Sequence, residues 1–267
     1  MIPLPSQPKI IEKKDNQAVF EIEGLYPGYG VTVGNSLRRV LLSSLPGAAV
    51  TQVKIKGIQH EFSTIPGVLE DVVTILLNIK QLRFKLHTTE PQRAKLQVKG
   101  AKTVKASTFN LPTQVELKNK DAHIATLTTK SASLDMEILI EPGMGYEPVE
   151  TRKTGKLEIG TIALDAIFTP VRKVSYRVES MRVGERTDFD RLILELETDG
   201  TLTPEQAFSQ AADVLLQHFG LFKEAFAKIE KPLSEKAEVR EKAKKKKKAK
   251  KVSPKKHAKK KKRKKAK

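Results

Sequence analysis

The sequence predicts an α+β protein whose folded body is followed by a disordered basic tail. Strand-like alternation of apolar and polar residues recurs between residues 10 and 200, and three segments instead repeat apolar residues at helical spacing. The distribution of charged residues distinguishes the predicted folded body from the tail. Residues 241–267 hold 18 of the 50 Lys and Arg but one of the 31 Asp and Glu, leaving 32 basic and 30 acidic side chains elsewhere. A tail of this composition has too little apolar surface to fold.

The first elements are predicted as an extended arm, a strand and a short helix. Three prolines precede a strand that begins near Ile10, and residues 18–25 alternate at period two. Pro27, Gly28 and Gly30 then predict a turn, and Asn35 is a candidate cap for the helix that Pro46 and Gly47 end. The predicted apolar face of this helix comprises Leu37, Val40, Leu41 and Leu45.

Residues 48–170 are predicted to be mostly strands, the clearest being 49–58, 93–100 and 133–142. One helix is expected among them, over residues 66–80, with Glu70 and Asp71 in its first turn, where the helix dipole favours acids. Its apolar residues cover so much of the surface that the helix is expected to be buried: Val68, Leu69, Val72, Ile75, Leu76, Leu77 and Ile79.

Two more strands, 172–183 and 191–200, are predicted on either side of a turn at 184–190. A long helix follows over residues 203–230, with Thr203 as cap, Pro204 at the first helical position and Gln206 completing a capping box. Its apolar residues form a double row typical of a helix that packs on another helix, in the same or a second chain: Phe208, Ala212, Leu215, Phe219, Phe222, Phe226 and Ile229.

Composition excludes several classes of protein. The absence of Cys excludes disulfides, thiolate metal sites and cysteine nucleophiles, and it is compatible with a reducing cytosol. No apolar run approaches the roughly 18 residues of a membrane helix, and the first residues lack the layout of a signal peptide. We therefore expect a soluble protein that is not exported and has no membrane partner.

No catalytic, metal or cofactor site is predicted on this chain. The five His, at positions 60, 87, 123, 218 and 257, are scattered, and no pair has metal-ligand spacing, so structural roles are favoured. The glycines of GYGVTVG differ by one position from the dinucleotide-binding pattern. The simpler interpretation is that these are turn glycines before a helix. The sequence shows no recognisable site for the alternative that this protein is an independent enzyme.

Two basic features remain as candidates for binding. Arg38 and Arg39 lie beside Leu42 on the first helix, where they form either a solvated cationic face or a docking surface, because Arg suits bidentate pairing at interfaces. The tail serves solubility, nuclear import or binding to nucleic acid. Its charge favours nonspecific attraction to phosphate, through residues such as Lys244, Lys245, Lys246, Lys247, Lys248, Lys260, Lys261, Lys262 and Arg263.

A long stretch, GYGVTVGNSLRRVLLSSLPGAAVTQVKIKGIQHEFSTIPGVLEDVVTILLNIKQL, closely resembles the alpha subunit of bacterial DNA-directed RNA polymerase. The resemblance resumes at EPGMGYEP and at LDAIFTPVRKVSYRVESMRVGERTDFDRLILELETDGTLTPEQA, and it covers roughly residues 10–230 in the family's order and spacing. A match of this length is far more specific than any single motif in the chain.

The resemblance implies a discontinuous dimerisation domain, an antiparallel sheet with helices, from residues 1–48 and 171–230. Residues 49–170 would form an inserted, mainly β domain, and 231–267 the tail. It implies a homodimer, with Phe208, Ala212, Leu215, Phe219, Phe222 and Phe226 at the interface. The dimer would be a scaffold for the catalytic beta and beta-prime subunits, contacted on the beta side by Arg38, Arg39 and Leu42 and on the beta-prime side by Leu164, Arg182 and Arg186.

The resemblance also places the protein in the bacterial cytoplasm, near the nucleoid, as a noncatalytic subunit of a nucleotidyltransferase. The family usually continues into a helical carboxy-terminal domain that binds promoter DNA, and we do not expect the Lys-rich residues after Glu230 to form it. We expect the tail to supply nonspecific DNA attraction instead. The alternative is a dimeric nucleic-acid-binding module unrelated to a polymerase, although the near-neutral body lacks the basic and aromatic stripe of such modules.

Overall fold

The computed structural model describes residues 2–152 and 158–225 of the 267-residue chain. By their contacts the residues divide into two compact units, 1–215 and 216–267. Within the described residues the fold consists of antiparallel sheets and three α-helices, so the α+β prediction is confirmed. None of these helices is long and apolar enough to cross a membrane.

The first sheet has four antiparallel strands in the order β1-β2-β14-β13. Short turns join β1 to β2 and β13 to β14. The pairing of β2 with β14 instead joins segments about 170 residues apart, with Phe20 opposite Leu194. The turn predicted over 184–190 is shorter, since Val183 already pairs with Arg186. The strands are β1 (Lys9–Lys14), β2 (Gln17–Leu25), β13 (Val171–Val183) and β14 (Arg186–Thr198).

The second sheet has six strands, in the order β5-β9-β3-β4-β7 with β11 added beside β3. Two small two-stranded sheets, β6-β8 and β10-β12, are formed by strands that alternate in the sequence with β5, β7, β9 and β11 of this sheet, and a 3-10 turn spans Ala106–Thr108. The strands are β3 (Pro46–Ile55), β4 (Phe84–Leu86), β5 (Gln92–Lys99), β6 (Lys102–Lys105), β7 (Val115–Leu117), β8 (His123–Leu127), β9 (Ser133–Met144), β10 (Tyr146–Glu147), β11 (Thr161–Ala163) and β12 (Ala166–Ile167).

Helix α1 (Tyr29–Ser43) begins six residues before the predicted cap, Asn35, which lies inside the helix. Two glycines that precede this predicted cap lie inside the helix. A β-carbon on Gly30 would lie 2.7 Å from Val178 Cγ1, and one on Gly34 would lie 2.7 Å from the ring of Tyr176. Gly30 and Gly34 therefore serve close packing of helix on sheet, rather than a turn, despite the usual helix cost of glycine.

Helix α2 (Val72–Lys80) is shorter than the predicted 66–80. Glu70 lies outside the first turn, because residues 67–70 run along β8 instead: the Leu69 amide donates to Thr126 O at 2.9 Å. Asp71 is the cap, and its carboxylate accepts from the Thr74 amide at 2.8 Å. The prediction that this helix is buried is wrong on one side, because Leu77 is 55% exposed. Leu69, which was predicted to belong to the helix but precedes it, is 71% exposed.

Helix α3 (residues 204–225) begins as the sequence predicts. The Gln206 amide donates to Thr203 Oγ1, and the Thr203 amide donates back to Gln206 Oε1, which is the reciprocal capping box. Residues 204–215 belong to the first unit, and the described residues of the second unit, 216–225, are helical too. The predicted remainder of this helix, from 226 onward, lies outside the described residues.

Two main apolar clusters form the interior of the first unit. One lies between α1, the start of α3 and the four-stranded sheet, with Leu37, Leu41 and Leu194 at its centre. The larger one lies between α2 and the six-stranded sheet, with Ile75, Ile79 and Ile138 fully buried. The domain boundaries predicted at residues 48 and 170 remain a prediction.

Candidate docking surface

The outer face of α1 carries an exposed stripe that mixes apolar and cationic side chains. Val31, Asn35, Arg38 and Leu42 follow at intervals of four, three and four residues, which places them on one side of a helix. Val31 is 54% exposed and Leu42 37%, while Leu37 and Leu41 on the opposite side are buried against the sheet. We call Val31, Asn35, Arg38, Arg39 and Leu42 the α1 face.

The two arginines of the α1 face are unpaired. Neither the Arg38 nor the Arg39 guanidinium has a hydrogen bond or an ion pair to any residue within 2–152 or 158–225. Arg191, by contrast, lies 3.3 Å from Glu21 and 3.1 Å from Glu23. Exposed, unpaired guanidinium groups beside exposed apolar side chains retain all their donors for a carboxylate or a carbonyl of another molecule.

The residues predicted for a second contact, on the beta-prime side, fall in two places. Arg182 and Arg186 lie on the β13–β14 hairpin, where Arg186 pairs with Asp188 at 2.6 Å and covers the rings of Tyr26 and Phe189. The hydrogen bonds to Asp188 raise the pKa of Arg186 above its usual value. Leu164 instead follows β11 in the second sheet, so the structure does not bring it onto the same hairpin.

The residues predicted for dimerisation differ in exposure along α3. In the first unit, Phe208 stacks on Phe20 of its own chain with ring centroids 4.8 Å apart, and Ala212 and Leu215 are half-buried. In the second unit, Phe219 and Phe222 are 60% and 61% exposed and contact each other edge to face. Phe226 and all the lysines and the arginine proposed for DNA lie outside the described residues.

The histidines in the described part of the chain make local contacts. His123 Nε2 lies 2.7 Å from Glu70 Oε1, and His60 lies 3.2 Å from the Ser63 hydroxyl. Burial alone would raise the pKa of Glu70, but hydrogen bonds from the Thr126 amide and His123 outweigh it and leave the pKa lowered. Among residues 2–152 and 158–225, no group of three His, Asp or Glu is arranged to hold a metal ion.

Comparison with known proteins places this chain in a family. Residues 53–169 match the family model of the RNA polymerase Rpb3/RpoA insert domain. The DNA-directed RNA polymerase subunit alpha of Alkaliphilus oremlandii (strain OhILAs) is 49% identical over 212 residues, which are 79% of this chain and 67% of that protein. This chain belongs to the family of DNA-directed RNA polymerase alpha subunits.

Other alpha subunits agree. That of Roseiflexus sp. (strain RS-1) is 50% identical over 79% of this chain and 64% of its own length, and that of Oceanobacillus iheyensis is 44% identical over 88% and 78%. The chain thus spans about two thirds of the length of the first two relatives named. The resemblance stated from the sequence is confirmed, and the alternative of an unrelated nucleic-acid-binding module is not supported.

Two exposed residues of the β9–β10 turn are not among those predicted from the sequence. Met144 at the end of β9 is 60% exposed, and Tyr146 at the start of β10 is 57% exposed. The sequence shows them only as part of EPGMGYEP, where two glycines separate large side chains from one another. The two glycines indicate a tight backbone conformation at this segment. The exposure of Met144 and Tyr146, however, depends on which residues pack around them in the folded protein.

Proposed function

We propose that this chain acts as the alpha subunit of a DNA-directed RNA polymerase, as a homodimeric scaffold on which the catalytic beta and beta-prime subunits assemble. The observation that carries this proposal is the α1 face, where a member of this family presents two unpaired arginines among exposed apolar side chains. The chain would be part of a nucleotidyltransferase, in the bacterial cytoplasm, without catalytic residues of its own.

The beta subunit would bind the α1 face. Arg38 and Arg39 would donate to carboxylates or carbonyls of that subunit, and Leu42 would be buried between them. Such a mixture of guanidinium and apolar groups is typical of the residues that dominate protein interfaces. The rigid attachment of α1, whose glycines pack directly on the sheet, supports this role because it fixes the position of the face.

The beta-prime subunit would contact two places, Leu164 after β11 and the β13–β14 hairpin with Arg182 and Arg186. Arg182 is exposed on the hairpin, where its Nε donates to Gly184 O at 2.8 Å, and its remaining donors are available. Arg186 is already paired with Asp188, so its contribution would come as a preformed ion pair rather than as a free charge. The distinction predicts that Arg182 matters more than Arg186 for binding.

The homodimer would form through α3 and the dimerisation domain of residues 1–48 and 171–230, with 49–170 as an inserted domain. Phe219 and Phe222 support this, since two large rings exposed on one helix are typical of a surface that a partner covers. Phe222→Glu would place a charge in that contact. We expect monomeric or insoluble protein in analytical ultracentrifugation, and an unchanged dimer would refute the assignment of α3.

The basic residues after position 240 would attract DNA without sequence specificity. Eighteen cations within 27 residues release many counterions when they meet phosphates, so binding must fall steeply with salt. Removal of residues 241–267 from the assembled polymerase should lower DNA affinity and flatten its salt dependence. Equal affinity and equal salt slope with and without these residues would refute this part of the proposal.

The main test is native mass spectrometry of this chain co-expressed with the beta and beta-prime subunits of its own source. We expect two copies of this chain in each assembled core. Arg39→Ala should abolish or strongly reduce assembly while leaving the fold and the dimer unchanged. Lys102→Ala, which removes an exposed cation far along the chain on β6, is the matched control and should assemble normally. A dimer that ignores both large subunits would refute the scaffold function.

A further inference from the structure

The turn between β9 and β10 presents two large side chains to solvent. Met144 and Tyr146 lie on either side of Gly145, and each keeps more than half of its surface exposed. Both residue types are enriched in the centres of protein interfaces. The exposure alone does not identify a partner, so the surroundings matter.

The backbone that carries Met144 is held firmly. A β-carbon on Gly143 would lie 2.5 Å from the ring of Phe168, which is buried, so strand β9 lies directly on that ring. Gly145 has φ of 66°, in the left-handed region, and its carbonyl accepts hydrogen bonds from the amides of Phe168 and Thr169 at 2.8 and 3.3 Å. Met144 is therefore fixed in place and loses little backbone freedom when it is bound.

Tyr146 is held by a second set of contacts. Its backbone pairs with Ile167 in the β10–β12 sheet, and the Lys80 ammonium lies 5.9 Å from the centre of its ring. Lys80 is itself fixed, because its Nζ lies 3.1 Å from Asp165 Oδ2, and Asp165 also accepts from the Val149 amide. The exposed ring thus has a cation on one side, which orients the ring before any partner arrives.

The turn adjoins the α1 face. A β-carbon on Gly145 would lie 3.2 Å from the carbonyl oxygen of Ser43, the residue that follows Leu42 and ends α1. Met144 pairs with Pro46, three residues after that helix end. The turn therefore lies against the carboxy-terminal end of α1, one residue after Leu42.

We infer that Met144 and Tyr146 extend the α1 face, and that the large subunit docked on Arg38, Arg39 and Leu42 also covers these two side chains. The inference rests on the proposed function. Its occupant is that same subunit, since a partner that covers Leu42 at the end of α1 lies next to the carbonyl of Ser43 and hence to Gly145. The arginines supply directional hydrogen bonds, and the turn supplies rigid apolar surface at the edge of the same contact.

The first test measures the affinity of the full chain for the beta subunit of its own source. We expect Met144→Ser with Tyr146→Ser to raise the Kd about tenfold or more, as truncation of well-packed interface residues does. Ile11→Ser is the matched control, because Ile11 is 51% exposed on the edge strand β1, and it should leave the Kd unchanged. Thermal unfolding and dimer mass are measured on each variant to establish that the fold is intact.

A second variant tests the inference even if the double variant does not fold. The chain has no cysteine, so Met144→Cys creates a single thiol whose alkylation rate reports its exposure. We expect addition of the beta subunit to slow alkylation at position 144 at least tenfold, and to leave that of the control Ile11→Cys unchanged. Equal rates at position 144 with and without the subunit would overturn the inference.

The outcomes separate this inference from the function on which it rests. If Arg39→Ala weakens beta binding while the Met144 and Tyr146 variants do not, the inference is wrong and the scaffold function stands. If the turn variants weaken binding of beta-prime but not of beta, the inferred occupant is wrong. If neither Arg39→Ala nor the turn variants affect either large subunit, the proposed function itself fails.

Discussion

Helices α1 and α2 both pack one face on an antiparallel sheet, but their first turns are completed in different ways. The amides of Gly28 and Gly30 at the start of α1 both donate to Asp190 Oδ2, at 2.9 Å, from a strand 160 residues away. At the start of α2 the corresponding acceptor is the neighbouring residue, Asp71. One helix start is thus encoded over long range and the other locally.

The two helices also approach their sheets differently. α1 uses Gly30 and Gly34 to bring its backbone against side chains of β13 and β14, whereas α2 buries branched side chains such as Ile75 and Ile79. Helix α1 is thus fixed mainly by close contact and a remote carboxylate. α2 is fixed by ordinary core packing and a local cap. Substitutions can test each half of this distinction.

The largest effect is expected at the close contact of α1. Gly34→Val would push a branched side chain into Tyr176 and Leu192, whose atoms already lie within 3 Å of a β-carbon at this position. We expect a loss of about 3 kcal/mol in the free energy of unfolding, measured by urea denaturation. Asn35→Val, which adds the same side chain on the exposed side of α1, should change it by less than about 0.5 kcal/mol. Equal losses would contradict the role given to Gly34.

The remote cap of α1 should come next. Asp190→Ala would leave two amides at the helix start without their acceptor, at a cost of about 2 kcal/mol. Asp190→Asn keeps an oxygen acceptor and should lose less than half as much. Both are measured by urea denaturation, with hydrogen exchange of the Gly30 amide as a local readout. A similar loss in both variants would indicate that the charge, rather than the acceptor, stabilises α1.

The local cap of α2 should have a smaller effect. Hydrogen bonds from Thr74, through its side chain and its amide, hold the pKa of Asp71 below its usual value. Asp71→Ala should lower the thermal midpoint by less than Asp190→Ala does, since α2 keeps its buried face. Because the folded pKa is lowered, the stabilisation is present at neutral pH and is lost as pH falls through that pKa. A larger effect than at Asp190 would reverse the comparison.

The smallest effect is expected at Glu70, which ties the segment before α2 to β8. Its pKa is lowered because hydrogen bonds from Thr126 and His123 outweigh the effect of burial. The carboxylate therefore stabilises the fold above its unfolded pKa, and this contribution disappears as pH falls through the folded pKa. The difference in unfolding free energy between wild type and Glu70→Gln should shrink from pH 7 to pH 3. A difference that does not change with pH would contradict this.

Local sequence patterns predicted several strands and the start of α3, which its neighbouring residues define. The alternation at 18–25, 93–100 and 133–142 corresponds to β2, β5 and β9, and the capping box of Thr203 and Gln206 is present. The start of α1 could not be predicted in this way, because its acceptor, Asp190, is distant in sequence. The start of α2 was placed too early, since residues 67–70 pair with β8 and their apolar spacing mimics a helix.

The candidate site was predictable in part. Arg38 and Arg39 were predicted because two adjacent arginines beside Leu42 on one short helix cannot all face the core, and the structure leaves both exposed. Met144 and Tyr146 were not predictable, because their exposure depends on how Gly143 lies on Phe168 and how Gly145 meets the end of α1. These contacts join positions 25 residues apart (Gly143 and Phe168) and 102 residues apart (Ser43 and Gly145), and no local pattern encodes them.

The pairing of β2 with β14 has a consequence for how the chain is made. Among the residues that the structure describes, strands β3 to β12 pair only with one another, so this middle part can acquire its sheets during translation. Strands β1 and β2 leave the ribosome first and can pair with each other, but β2 obtains its second partner, β14, only after residues 190–197 have been synthesised. We expect the amino-terminal segment to wait, with Phe20 and Ile22 uncovered, until most of the chain has been made. The first part of the protein to be synthesised is thus among the last to fold.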